Sequence, residues 1–568
     1  MSDLKRRFDE EMRHLLGAGR EFAREHPALA RKISIDDVAR RHPYLEQLFE
    51  NFAFQLARAR TDLEDADDDT AGELLDLVAH GLEIPLPSVA IVEFIPGAGT
   101  SGTAERIAAG SEVRAWPADH PAQIRATVAG NCPVHQLRLD SAKLLAGSQG
   151  QASLEFVLAS VGGAGTASWP AALEIFLGRD PLVAWTLRHF LLRRTISVEV
   201  QGGAATVRFQ SSKAAGYGTL AAPACEPLLD LRDFLCAEER FRYVRLEGLD
   251  AALPASATSA RISVRFRGVL PRDLEPLVDK NSLRLNSAPV VNAHLHDFDP
   301  LLVDPKRASY PLEARGEPDK EVLDLGSMGG ASQSDPTRTH TYLRSWESRH
   351  AGVRFQESGS IHLRRRPNRS GGARTSFRVS HRDAAFFFPD EFLSGSVWCC
   401  DGDVPSEKVR PQDLSDPGPG VPSGWGVAGL TRPTQVFRPP ADPMFRWRML
   451  SHFQRSFQDM LDADSLKDTL RALLWDTRGL RRGLVDGIRR VVSVPGHVLL
   501  DGIPVPTWEV RIAWEDPEVK ADSWEQLGRL DAFGELLLGL FRSRTPPGVE
   551  SRVSLRVEPA GVQLVHGK

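Results

Sequence analysis

The sequence predicts an α+β protein of several domains, and three observations carry that reading. The chain has 568 residues, whereas a single hydrophobic core stops growing near roughly 250–300, so about three domains are expected. Apolar residues recur at helical spacing at both ends of the chain and alternate with period two through much of the middle. Hydrophobic residues make up 42% and charged residues 26% of the total, a balance that sustains buried cores.

Taken in order, residues 1–85 read as a helical region. Phe8, Met12, Leu15, Leu16 and Phe22 lie on one face of a first helix that His26-Pro27 ends. A second helix over 44–63 carries Leu45, Leu48, Phe49, Phe52, Leu56 and Leu63 along one broad stripe. Thr70, with Glu73 three residues on, predicts a capping box that opens a third. Between them, Asp62, Glu64, Asp65, Asp67, Asp68 and Asp69 read as a solvated helix end. They lack the glycine and terminal glutamate of a calcium loop.

From Val89 the period becomes two, and a β-rich domain is expected over 86–275. Its strand candidates are 89–94, 154–159, 173–177, 196–200, 206–209, 243–246 and 261–266, interrupted by a helix over 181–192 with Pro181 in its first turn. Residues 276–440 read as an irregular β-rich middle domain, with Gly326–Gly330 and Pro417–Gly420 as turns and 385–388 and 396–400 as strands. The prolines 433, 439, 440 and 443 mark a boundary. Residues 441–568 read as a helical pair followed by a mixed α/β domain. In the pair, Phe445, Met449, Phe453 and Phe457 recur at i, i+4, flanked by Trp447, Leu450 and Leu461. A helix from Ser465 adds Leu466, Leu470, Leu473 and Leu474. A longer amphipathic helix opens at Ser523.

Composition excludes several functions. The net charge is −5 with an isoelectric point near 6.4, so no global field attracts nucleic acid. The first residues lead into no apolar signal core. The longest apolar stretches fall short of the ~20 residues that cross a bilayer. Cys132, Cys225, Cys236, Cys399 and Cys400 form an odd set without CxxC spacing, as expected of reduced, buried thiols in a cytoplasmic protein.

Few motifs suggest chemistry. His294 and His296 share one face of a strand, a spacing that can hold zinc, but no further ligand cluster stands nearby in sequence. They define the alternative function, a metal-dependent hydrolase with a dispersed site. Gly97–Gly102 lacks the Gly-Lys-Ser/Thr of a phosphate loop and reads as a hairpin or loop. The basic run His362–Arg369 has few aromatics to stack bases and reads as an exposed loop or protein-contact patch. No catalytic residue, cofactor or metal site is assigned.

Collinear segments then give a family resemblance. They are Phe8–Met12, Glu21–Ala23 leading into His26–Ala30, Leu45–Phe54, and Ile84–Val92 with its Ile-Pro-Leu-Pro. Further on come Asp299–Asp304 with Tyr310–Leu312, Leu430–Thr434 with Pro439-Pro440, Trp447–His452 and Leu461–Leu466. In these the chain resembles the TssF family, baseplate wedge subunits of type VI secretion systems, themselves similar to wedge proteins of contractile phages. The resemblance implies a structural, non-enzymatic subunit. It implies pairing with a second copy of itself and a TssG-like subunit, and contact with a TssK-like adaptor, a TssE-like subunit and a VgrG-like spike on a platform for the sheath. It also implies assembly at the inner face of the cytoplasmic membrane without insertion. A wedge needs helical stripes that several chains bury together. Phe445, Trp447, Leu450, Phe453, Phe457, Leu461, Leu466, Leu470 and Leu474 are the sequence's candidates for that bundle.

Overall fold

A computed structural model describes residues 3–567 apart from 34–42, 98–104, 147–150, 162–168, 179, 202–205, 217–225, 255, 271, 305–306, 308, 336, 338, 345–346, 348–358, 368–371, 381–390, 443, 477, 480 and 501. The chain divides into two units, Met1–Leu74 and Leu75–Lys568. In the first, helix Asp3–Glu25 stops at His26, and Pro27 opens the short helix Pro27–Ile33. The third helix predicted from Thr70 is not a separate element. A single 37-residue helix, Pro43–Ala79, runs through the acidic stretch. Thr70 Oγ1 donates back to Ala66 O at 2.8 Å instead of capping Glu73, the bond a mid-helix threonine makes when the preceding turn is already helical. In the long helix Ala53 and Ala57 are fully buried. Arg7 reaches Thr61 at 3.2 Å and Glu64 at 2.5 Å, and Arg60 reaches Glu11 at 3.2 Å.

The second unit contains a sandwich, among the described residues, of two antiparallel sheets. One runs in the order Leu137–Ala146, Gln151–Ser160, Ser259–Arg267, Thr195–Val200; the other runs Arg208–Ser212, Tyr243–Glu247, Ala172–Phe176. Alternate residues such as Leu154, Phe156 and Leu158 of one sheet and Leu173, Val244 and Leu246 of the other fill a shared core. Helix Pro181–His189 packs into it, its Asp180 carboxylate accepting from Leu182 N–H. The predicted helix end at Leu192 is instead a π turn, Phe190–Arg194.

A six-stranded sheet interleaves distant segments among the described residues. Val89–Pro96 lies between Ser287–Val291 and Trp425–Gly429, with Ile124–Val128, Glu112–Ala115 and Leu414–Pro417 beyond. Among the described residues, the middle of the chain forms an eight-stranded sheet around Tyr310, Met328, Tyr342, Phe377, Leu393 and Val397. Two expectations are corrected here. Gly326–Gly330 is not a turn but part of strand Glu321–Ser332. Its glycines are needed for close packing: a Cβ on Gly330 would overlap the Glu391 carboxylate, and one on Gly326 would meet Leu295 at 2.6 Å. The basic run is not an exposed loop either, because strand Gly359–Pro367 carries it through 367 and turns Arg365 inward to Glu83. The 385–388 strand candidate, Ala98–Gly102, Asn368-Arg369 and Cys225 lie outside the described residues.

At the C-terminal end, the parallel strands Ile503–Glu515 and Glu550–Glu558 are joined by helix Trp524–Arg544, with Ile488–Leu500 and Val562–His566 at the edges. Pairing parallel strands requires such a crossover. The helix crosses Pro181–His189 at Gly528, where a Cβ would overlap the Trp185 carbonyl. Buried ions bind these parts together. Glu238 accepts from Trp185 Nε1 (3.1 Å) and pairs with Arg242 (2.9 Å), Arg529 (3.0 Å) and Arg481 (3.4 Å). Asp76, in the last turn of the long helix, pairs with Arg344 (2.7 Å) and His80 (2.7 Å), and Arg344 also holds Asp324. Burial alone would raise the Asp76 carboxyl, but Arg344, His80 and Arg365 together hold it at about 2.

Candidate functional site: the exposed apolar surfaces

The most site-like sequence motif gathers no reactive constellation. His294 and His296 stand together on strand His294–Asp297, rings 4.9 Å apart and edge to face. Burial pushes His294 down to about 3, with Lys320 and Arg125 opposing protonation and Asp401 favouring it. An Arg125 guanidinium nitrogen lies 3.3 Å from His296 Nε2. A guanidinium only donates, so that nitrogen accepts and the ring is neutral. Asp401 is already taken by Lys320 and Asn292, both at 2.6 Å. Among the described residues no three His, Cys, Asp or Glu side chains converge as a metal set. The two imidazoles therefore face two cations and a carboxylate held elsewhere.

The helical pair picked out by sequence forms as Phe445–Gln454 and Ala463–Ala472, the latter capped by Asp462 accepting from Ser465 N–H. Most of its apolar residues are buried within this chain. Phe445 packs near Trp475, with centroids 6.3 Å apart. Phe457 inserts between Trp508 (4.4 Å) and Phe541 (5.7 Å). Leu450, Leu466 and Leu470 are also buried. Phe453, under the Arg544 guanidinium, Leu461 and Leu474 are half-buried. Trp447 alone of the nine is exposed.

The larger apolar surface lies on the N-terminal unit. Tyr44, Leu48, Phe52, Leu56 and Leu63 are 77%, 49%, 55%, 44% and 69% exposed. At 100° per residue they fall within about 120° of one another, a continuous stripe. Phe22, Leu29 and Phe54 add to the exposed apolar surface of this unit. A stripe this wide is more than one partner helix can cover, and contiguous apolar surface of this kind marks interaction sites in proteins. The sequence held the signal in the breadth of the 45–63 stripe. What it could not show was that Ala53 and Ala57, not the large residues of the stripe, are the buried ones.

A family model described as Type VI secretion system, TssF, matches residues 1–523. The chain is similar to the type VI secretion system component TssF1 of Pseudomonas aeruginosa, 29% identical over 89 residues, which span 16% of this chain and 14% of that relative's length. Its fold matches a chain in the structure of the type VI secretion system TssK-TssF-TssG baseplate subcomplex, with a TM-score of 0.75 and 20% identity, covering 92% of this chain and 98% of that one. It also matches a chain in the baseplate complex from the type VI secretion system, with a TM-score of 0.62 and 21% identity over 100% and 98% of the two chains. No helix among the described residues is long and apolar enough to cross a membrane. With a family match over most of its length and an α+β architecture of the same fold, the chain belongs to the type VI secretion system TssF family.

Proposed function

We propose that this chain is a structural, non-enzymatic wedge subunit of a type VI secretion baseplate. It works in the cytoplasm at the inner face of the membrane and joins a TssG-like subunit, a TssK-like adaptor and a second copy of itself. In the assembled platform it lies near a TssE-like subunit and a VgrG-like spike, beneath the sheath. The observation that carries this is the exposed stripe Tyr44–Leu63 in a chain of the TssF family. An apolar face of this breadth needs helices of other chains to cover it. It takes over most of the role expected of the 445–474 helices, from which Trp447 is kept as the outward contact.

The test is co-expression with a TssG-like partner. The intact chain is expected to co-purify in a stable complex. Replacing Leu48 by Lys and Phe52 by Asp is expected to abolish the complex and leave the melting of the free chain nearly unchanged, because both side chains are exposed. A monodisperse monomer indifferent to that partner overturns the proposal.

A further inference from the structure

Among the described residues, each sheet of the sandwich ends in a strand paired along one side. Thr195–Val200 bonds to Ser259–Arg267, and Arg208–Ser212 bonds to Tyr243–Glu247. Between these two edges opens a cleft of about 710 Å³. Val200 and Val207 lie buried at its base and Val198 and Phe209 are half-buried against the sandwich core, with Thr195, Ser197, Glu199, Thr206 and Arg208 also lining it. Ile196, at the bulge where the register slips between Arg265 and Phe266, is 53% exposed at its rim.

The backbone direction follows from one bond. Gln201 N–H donates to Arg261 O at 2.9 Å, and the register places Glu199 opposite Ser263. In an antiparallel ladder alternate residues bond inward, so the N–H and C=O groups of Val198 and Val200 point to the cleft. The charges at its rim are already neutralised in pairs, Glu199 with Arg265 and Arg208 with Glu247. That leaves no excess of one sign for a nucleic acid or an anionic headgroup. A helix satisfies its own backbone groups and would leave those of Val198 and Val200 unpaired.

Resting on the baseplate reading above, we infer that this cleft is a strand-addition site for an extended segment of a partner subunit. The segment is uncharged, about five residues long at ~3.3 Å per residue, with apolar side chains at alternate positions. Its main chain pairs with the Val198–Val200 edge, and its side chains settle on Val198, Val207 and Phe209.

The experiment is hydrogen–deuterium exchange on the full chain, free and in the complex co-purified with TssG-like and TssK-like subunits. Amides over 195–200 are expected to exchange at least about tenfold more slowly in the complex. Val198→Pro removes an N–H that faces the cleft and no ladder bond. This variant is expected to fold, with some loss of stability from the packing of Val198, and to lose the protection; should it not fold, Ile196→Lys, which puts a charge into the cleft from an exposed position, replaces it. A complex that forms while these amides exchange at the free rate overturns this inference alone. Protection that appears in the free chain as its concentration rises assigns the edge to a second copy and overturns it as well. Failure of any complex to form overturns both this inference and the baseplate reading.

Discussion

Single residues hold distant segments of the second unit in place, and Glu238 does so most directly. It is buried, and three arginines and the Trp185 indole surround it, drawing its carboxyl well below the usual range against the cost of burial. Glu238→Gln would leave Arg242, Arg481 and Arg529 without a countercharge. A loss of about 3–5 kcal/mol in unfolding free energy is expected, read by urea denaturation. Buried histidines contribute to the pH dependence. Burial pushes His189 and His452 down to about 4 and His294 to about 3. The unfolded chain therefore binds more protons than the folded one between these values and the ordinary 6.5. Stability is full above about pH 6.5 and is lost as pH falls toward 4. Melting temperatures from pH 8 to 4 should fall across that window. His189→Leu, which keeps an apolar side chain against Trp524, should make the fall shallower. A flat profile over this range would contradict the assignment of neutral histidines.

Among the elements, helix Trp524–Arg544 does the most joining. It bridges two parallel strands, presents Phe533 and Phe541 to other aromatic groups, and crosses Pro181–His189 at Gly528. A methyl at 528 would have to push into the Trp185 carbonyl, so Gly528→Ala should cost about 1–3 kcal/mol despite alanine's better helix propensity. Stabilisation by that substitution, measured in the same denaturation assay, would show that the two helices can separate freely. Other elements were partly legible in advance. Strand Ser259–Arg267 alternates buried and exposed residues in step with its sequence, and helix Trp524–Arg544 starts one residue after the predicted Ser523. The glycine-rich strand Glu321–Ser332 was not legible, because glycines that admit a neighbouring side chain look the same in sequence as glycines that turn the chain.

For the whole molecule, the division at Leu74/Leu75 separates a helical unit with an outward apolar stripe from a unit with its own cores. Removing residues 1–74 should therefore leave a chain that still melts cooperatively, within about 5 °C of the intact protein, but no longer binds the TssG-like partner. Collapse of the truncated chain on calorimetry would mean that the helices carry folding as well as assembly. The six-stranded sheet also shapes the second unit. It brings Val89–Pro96 beside both Ser287–Val291 and Trp425–Gly429, so segments read separately as β-rich and irregular share one layer. Long-range pairing of this kind leaves no local mark in a sequence.

The α+β class, the helical ends, the alternating strands and the family were determined by the sequence, because periodicity and collinear motifs are local properties of a chain. Which apolar stripe faces outward was decided only by the tertiary structure. Phe445 and Phe457 look like partner-seeking knobs by spacing alone, yet Trp475, Trp508 and Phe541 cover them. Leu48 and Phe52 lie on a stripe that spacing alone does not place inside or outside, and they stay exposed while Ala53 and Ala57 are buried. His294 and His296 were equally ambiguous until Lys320 and Arg125 were placed beside them. Burial is a relation between segments distant in the chain, and spacing within one segment cannot express it.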